Sequence, residues 1–410
     1  MSALSLSQAK PSQALNPSQP SRISVESPAQ IFPKLFMRLS ERFTGTVRGL
    51  TSEGGGVVDH PSGRAVFVPG AWLGEQIEAK ITQIKSQFAL GELIQVITPH
   101  PNRRQAPCPY HGHSAQHCGG CPWQFMDYPA QLAAKQQRIE QAVQRLDAKL
   151  QVQPITPSPA ELAYRNRAQL KSQGQQLGFM AAASHNLVAV EQCLLLTPEC
   201  AAQLQAVREQ LQPAAPSKRP TNWLTWDINE NTYRANSRLP FAQGNTSQNS
   251  YMRTWLAEQL TTCDTQAPVL ELFAGSGNFT HVLAGAGFKA IYALDVVAEA
   301  LDTLTKQALP GVSAQAADLF KEGVISQLIK RLKPEVILLD PPRDGLKTAA
   351  EIQAKNTSLQ TLLYISCDLA TFVRDAQVFS KQGFKLTHLQ PVDMFPQTPH
   401  VEILARFTRR

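Results

Sequence analysis

Three groups of residues in this 410-residue chain have the types and spacing to do chemistry. In the first, Asp340-Pro341-Pro342-Arg343 follows the apolar run EVILL, and Cys367 ends the next such run, LLYISC. Open α/β sheets bind ligands at the carboxyl ends of their strands, where both motifs fall. A thiolate presented there is a strong nucleophile. Asp-Pro-Pro also reads as a stiff turn, and a free cysteine is most often a small buried hydrophobe. Glu402, in PHVEIL near the C-terminus, is a candidate base whose bland alternative is a solvated edge residue.

The second group is VLELFAGSGNFT, residues 269–280, a buried strand entering a glycine-rich turn and a helix. Gly275 and Gly277 allow a tight bend and close approach of a ligand to the backbone. The dinucleotide pattern has a third glycine where this chain has Thr280. A strand ending in Asp295 follows about 20 residues on, where an acid suits the ribose hydroxyls of an adenosine cofactor. Asp318, in ADLF, lies where the adenine side is expected. The order Glu271, Gly275, Gly277, Asp295, Asp318 resembles the class I S-adenosylmethionine methyltransferase fold. That resemblance implies that Asp295 binds the cofactor ribose and that the glycine turn lines its methionine end.

Asp-Pro-Pro does not by itself separate methylation of an exocyclic amine from methylation of carbon. Cys367 favours carbon. Carbon 5 of uracil is a poor nucleophile, and adding a thiolate to carbon 6 makes it enolate-like, able to attack a sulfonium methyl. The carbon 5 proton must then leave, which gives Glu402 its role. ELFAGSGNF, LDPPRDG, SCDLATFVRD and DMFPQTPHVE, in that order, are similar to the RNA 5-methyluridine methyltransferases, over about residues 40–410. The resemblance implies Cys367 as nucleophile, Glu402 as base, and Asp340, with Arg343, at the target uracil. FAQGN resembles the family's Phe-x-Gln-x-Asn stretch and implies that Gln243 contacts cofactor or base. Phe273, Gly275, Gly277, Asn278, Asp295, Asp318 and Asp340 complete the implied cofactor set. Where the family typically reads Ser-Cys-Asn-Pro, this chain has Ser366-Cys367-Asp368-Leu369. A carboxylate there would tend to raise the thiol pKa, and Arg374 is expected to offset it.

The third group is Cys108, Cys118 and Cys121, joined much later by Cys193. Four thiolates can hold a [4Fe–4S] cluster or zinc, and His111, His113 and His117 keep zinc open. The resemblance implies a [4Fe–4S] cluster on these four cysteines, with a longer gap between Cys108 and Cys118 than is usual. Cys200 and Cys263 read as ordinary thiols.

Stepping outward, the alternation of strand and helix from about residue 250 is that of a doubly wound α/β domain. The expected fold is α/β: a Rossmann-like methyltransferase domain over 241–410, a mainly β central iron–sulfur domain over 99–240, an OB-type barrel over 39–98 and a disordered tail over 1–38. Residues 129–150 place Leu132, Ile139, Val143, Leu146 and Leu150 at helical spacing. The barrel looks like a TRAM-type RNA-binding module, with Arg48, Arg64, Lys80, Lys85, Arg103, Arg104, Phe67 and Trp72 as candidate contacts. Tyr164-Arg165-Asn166-Arg167 matches a stretch the family places near RNA. The net charge of +7 favours an anionic partner. RNA is expected, 23S ribosomal RNA ahead of tRNA, in a cytoplasmic protein without membrane spans. Competing readings are an RNA-binding relative with a failed site, an iron–sulfur redox enzyme and an N-methyltransferase.

Overall fold

A computed structural model describes residues 36–410 apart from 148, 183, 213–222 and 356. The expected tail, as far as residue 35, lies outside the described residues. Among the described residues, no helix is long and apolar enough to cross a membrane.

Strands β1 (Arg42–Leu50), β2 (Gly56–Asp59), β3 (Ala65–Val68), β4 (Gln76–Ile84) and β5 (Ala89–Thr98) close a barrel in the order β1-β2-β3-β5-β4. Period-two alternation sends Ile77, Ala79 and Ile81 of β4 fully inside, with Val58, Val66 and Val68 opposite. A second, antiparallel sheet follows, ordered β10-β9-β6-β7-β8: β6 (Arg167–Gln173), β7 (Gln176–Met180), β8 (Leu187–Ala189), β9 (Leu224–Asn229) and β10 (Tyr233–Ala235).

Two helices in this part of the chain differ from the sequence reading. Helix α1 spans Tyr128–Gln144 and stops short of residue 150. Its buried face is Gln131, Lys135, Ile139 and Val143, so two polar residues take the place expected for Leu132. Helix α2 (Pro198–Gln210) interrupts a region expected to be mainly β. Thr197 caps it, accepting from Cys200 N, and Cys200, Leu204 and Val207 pack on Leu170 and Ile228 of the sheet.

The third sheet holds β11 (Val269–Leu272), β12 (Ile291–Asp295), β13 (Val312–Ala316), β14 (Val336–Leu339), β15 (Thr361–Ser366), β16 (Phe384–Val392) and β17 (Glu402–Arg409). Its order is β13-β12-β11-β14-β15-β17-β16, with β17 antiparallel to both neighbours and the rest parallel. Strands β11 and β14 are buried throughout, which explains their unbroken apolar runs. Helices α3 (Thr246–Leu260), α4 (Thr280–Gly285), α5 (Ala298–Lys306), α6 (Val324–Leu332) and α7 (Leu369–Lys381) complete this part of the fold. Apolar cores form on both faces, and Ile139 and Val143 of α1 join one of them. A doubly wound sheet of this kind leaves a crevice at the carboxyl ends of its parallel strands.

Candidate active site

Along that edge, the turn after β11 has Phe273, Gly275 and Gly277 at φ of +66°, +54° and +98°. A side chain at Gly277 would come within 2.5 Å of Leu304 Cδ1, so both backbone and space require glycine. Asp295, at the end of β12, accepts from Gly275 N (2.8 Å) and Val297 N (2.9 Å), which fixes its carboxylate against the turn. Glu271 is buried and accepts from Thr280 Oγ1 at 2.6 Å. Burial, helped by the charges of Asp340 and Asp295, pushes its pKa up to about 8. Asp318 is exposed and turns its carboxylate to Phe320 N. Beside it, the Phe273 and Phe320 rings lie 5.6 Å apart. Val296, Val297 and Phe320 leave 66%, 52% and 39% of their surface exposed, an apolar rim that the sequence reading missed. Asn278 exchanges two hydrogen bonds with Asn249 of α3. The Gln243 carbonyl accepts from Asn166 Nδ2 at 2.9 Å.

The reacting groups collect where β14, β15 and β17 end. Ser366 is in register with Ile403, so the next position on each strand sets Cys367 opposite Glu402. Leu339 pairs with Tyr364, which carries Asp340 to the same edge. Glu402 is buried, and burial followed by the charge of Asp340 pushes it up to about 8 against the pull of Arg343. Burial alone pushes Asp340 up to about 7. The half-buried Cys367 thiol is pushed up to about 12, by burial first and then by Glu402 and Asp340. Arg343 opposes this, and Asp368 adds the smallest contribution.

The role expected of Arg374 is corrected. It binds Asp375 Oδ1 and the Asp344 carbonyl, each at 2.8 Å. The basic group that faces Asp368 is Arg138 of α1. Asp368 caps α7 by accepting from Thr371 N at 2.8 Å, a task asparagine performs equally, so the turn holds without proline. His400, two residues before Glu402, was overlooked. Burial, then the charges of Arg343, Lys135, Arg138 and Arg165, lower it to about 4, so it is neutral near pH 7.

Cys108, Cys118, Cys121 and Cys193 line one cavity of about 350 Å³, counting its open mouth, with His111 and Tyr110 in the wall. Burial and then the neighbouring Cys193 and Cys118 push Cys121 up to about 12, and burial raises Cys118 to about 11. The loop is stitched to β7 by Gly119 N donating to Met180 O. A side chain at Gly119 would meet Ala182 N at 2.6 Å. Among the described residues, no three His, Cys, Asp or Glu side chains converge closely enough to hold a single metal ion.

Several candidate RNA contacts are structural instead. Trp72 is buried against Trp123 and Phe125. Arg103 binds the fully buried Glu75 at 2.5 Å. Arg104 pairs with Glu161. Tyr164 OH donates to Pro396 O, Arg165 lies over Phe395, Asn166 donates to Gln243 O, and Arg167 binds Asp227. Internal tertiary partners hold these groups, and composition cannot show such partners. Lys85 is exposed, with Arg64 donating to its carbonyl and Phe67 stacked on Phe88 at 4.7 Å nearby.

Residues 42–94 match the TRAM domain, and residues 324–409 match the tRNA (Uracil-5-)-methyltransferase family. An uncharacterized RNA methyltransferase of Nitrosomonas europaea is 39% identical over 90% of this chain and 97% of its own. The 23S rRNA (uracil(1939)-C(5))-methyltransferase RlmD of Shewanella amazonensis is 28% identical over 92% of this chain and 99% of its own. The crystal structure of Pyrococcus abyssi tRNA (uracil-54, C5)-methyltransferase with S-adenosyl-L-homocysteine superposes with a TM-score of 0.63 at 18% identity, covering 89% of this chain and all of that one. The family match and a relative matched nearly end to end place the chain: it belongs to the family of RNA uracil-5-methyltransferases.

Proposed function

We propose that this enzyme methylates carbon 5 of a uridine in 23S ribosomal RNA through a transient bond between Cys367 and the target base. The observation that carries the chemistry is the facing pair Cys367 and Glu402, with Asp340 and Arg343 beside it. S-adenosylmethionine supplies, when bound, a methyl group on a positively charged sulfur. Asp295 and the turn from Phe273 to Asn278 hold the cofactor, and the apolar rim at Val296 and Phe320, beside Asp318, suits a flat adenine ring. Gln243 and Asp340 orient the uracil. The half-buried Cys367 loses its proton to solvent and its sulfur adds to carbon 6, which moves electron density to carbon 5. Carbon 5 takes the methyl group, the Glu402 carboxylate removes the carbon 5 proton, and the electron pair left behind expels the Cys367 thiolate. The ribosomal substrate is supported by relatives that match nearly end to end.

The barrel over 39–98 would hold RNA, the stretch over 99–240 would carry the metal site, and 241–410 would do the chemistry. Four thiols lining one cavity have the donor chemistry that a [4Fe–4S] cluster needs. Cys108, Cys118, Cys121 and Cys193 would hold it, tying two distant segments together.

Transfer of labelled methyl to unmodified RNA, with nucleoside analysis, tests the reaction. The expected product is 5-methyluridine in 23S RNA, absent with Cys367→Ala. A product methylated on nitrogen, or full activity without the thiol, overturns it. Iron and sulfide analysis of anaerobically purified protein tests the cluster.

A further inference from the structure

The connection from β16 to β17, residues 393–401, carries His400 and delivers Glu402, yet it belongs to no regular element. Its backbone groups therefore need partners from elsewhere. Three of those partners come from one face of α1, more than 250 residues earlier, beside others from Trp123, Thr156, Tyr164, Asn245 and Gln248. Gln131 donates to Gln397 Oε1 (2.9 Å) and accepts from Gln397 N (2.9 Å). Lys135, fully buried, binds Asp393 Oδ1 at 2.5 Å and Phe395 O at 3.2 Å. Arg138 donates to Pro399 O at 2.7 Å. Positions 131, 135 and 138 are spaced by four and three residues, so they form one stripe along the helix.

An apolar stripe would pack here at lower cost, since burying a lysine and its carboxylate is expensive even when they are paired. The stripe instead specifies where the connection runs. Gln397, a non-glycine residue at φ +69°, is held there by the double amide pair with Gln131. Arg138 makes the last contact before Glu402. Its Nε and Nη1 are buried without hydrogen-bond partners, and the negative charges it feels are Asp368, next to Cys367, and Glu53. One guanidinium thus holds the chain leading to the base and feels the charge of the residue after the nucleophile.

We propose that the polar face of α1 positions the general base, and that Arg138 is the positioning residue that sets Glu402 against the carbon 5 proton. This rests on the covalent reading given above. It makes a specific demand: weakening Arg138 must slow proton removal and release, the steps after methyl transfer, more than it slows addition of the thiolate.

The test compares wild type, Arg138→Met, Arg138→Lys and Glu402→Gln on two RNAs. One has ordinary uridine at the target. The other has 5-fluorouridine, where fluorine replaces the removable proton and arrests every enzyme at the adduct. With Arg138→Met, methylated product is expected to form about tenfold more slowly. A protein–RNA complex stable to denaturant is expected to accumulate on uridine RNA, as with Glu402→Gln. Trapping on 5-fluorouridine RNA should stay within about twofold of wild type, the scatter of an unaffected step. Arg138→Lys, which keeps a donor near Pro399, should recover much of the rate. Gln131→Met gives the same pattern, more weakly, should Arg138→Met fold poorly. Equal losses on both RNAs, a change confined to KM for RNA, or wild-type behaviour of both methionine variants overturns the proposal. A wild-type enzyme that never forms the complex with 5-fluorouridine RNA overturns the covalent reading and this proposal with it.

Discussion

Cys367 and Glu402 stand opposite one another one step beyond the last register pair of two antiparallel strands, Ser366 with Ile403. Cross-strand neighbours of this kind have Cβ atoms roughly 4.5–5.5 Å apart, which leaves room for a planar base to reach both side chains. The pairing also raises the thiol, through the charge of Glu402, while burial and then Asp340 raise Glu402.

Catalysis should therefore climb with pH. The thiol is pushed up to about 12 and Glu402 to about 8, so thiolate and carboxylate are both minor near neutrality. Single-turnover methylation with saturating cofactor is expected to rise throughout from about pH 6 to about pH 9, most steeply at the acid end, where both the thiol and Glu402 must lose protons. A flat profile over that range would show that the apo-state burial does not govern the step.

Stability should move the opposite way. Glu271, Asp340 and Glu402 all have folded pKa values above their unfolded ones. Such groups stabilise the fold fully below their unfolded pKa, and the benefit is lost as pH rises through about 7–8. Glu402→Gln removes one such group without changing its shape. Thermal melting of the cofactor-free protein at pH 8 is expected to rise by about 3 °C or more, with little change at pH 5, while methylation is lost. Identical shifts at both pH values would refute the assignment.

Cofactor affinity should depend on Asp295 through the turn it fixes. Asp295→Ala strips the Gly275 and Val297 amides of their acceptor as well as removing the proposed ribose contact. Calorimetric binding of S-adenosylmethionine is expected to weaken by at least about tenfold, the scale of a lost charge-assisted hydrogen bond. Gly277→Ala should weaken binding too, through the clash with Leu304 and a strained backbone. Unchanged affinity in both variants would move the cofactor site elsewhere.

Two basic residues near the barrel should behave differently. Arg103→Met leaves the Glu75 carboxylate buried and unpaired, and is expected to cost about 3–5 kcal/mol of stability in denaturant titrations. Lys85→Gln changes an exposed charge; it should leave stability alone and reduce the salt dependence of RNA binding by about one charge. The reverse result would place RNA at Arg103.

Much of the catalytic region was legible because its signals are local. Apolar runs, the glycine turn and an acid about 20 residues later all fall within one strand-helix-strand unit, where spacing dictates geometry. Cys367 after LLYIS and Asp340 after EVILL are strand-end residues for the same reason. Helix α2 was missed because its apolar positions, Cys200, Leu204 and Val207, are few and its neighbours are strands.

By itself, the sequence determined which residue types reach the rim of the sheet and in what order, since periodicity and turn chemistry act over a few residues. Tertiary structure alone decided which groups meet. It inserted β17 beside β15, placing Glu402 opposite Cys367, and it laid α1 under the connection to β17. It also buried Trp72 and Tyr164 and gave Arg103 and Arg167 carboxylate partners within the fold. Lys135 and Asp393 are 258 residues apart. Their pairing follows from the burial of whole faces against one another, and no local pattern in the chain encodes it.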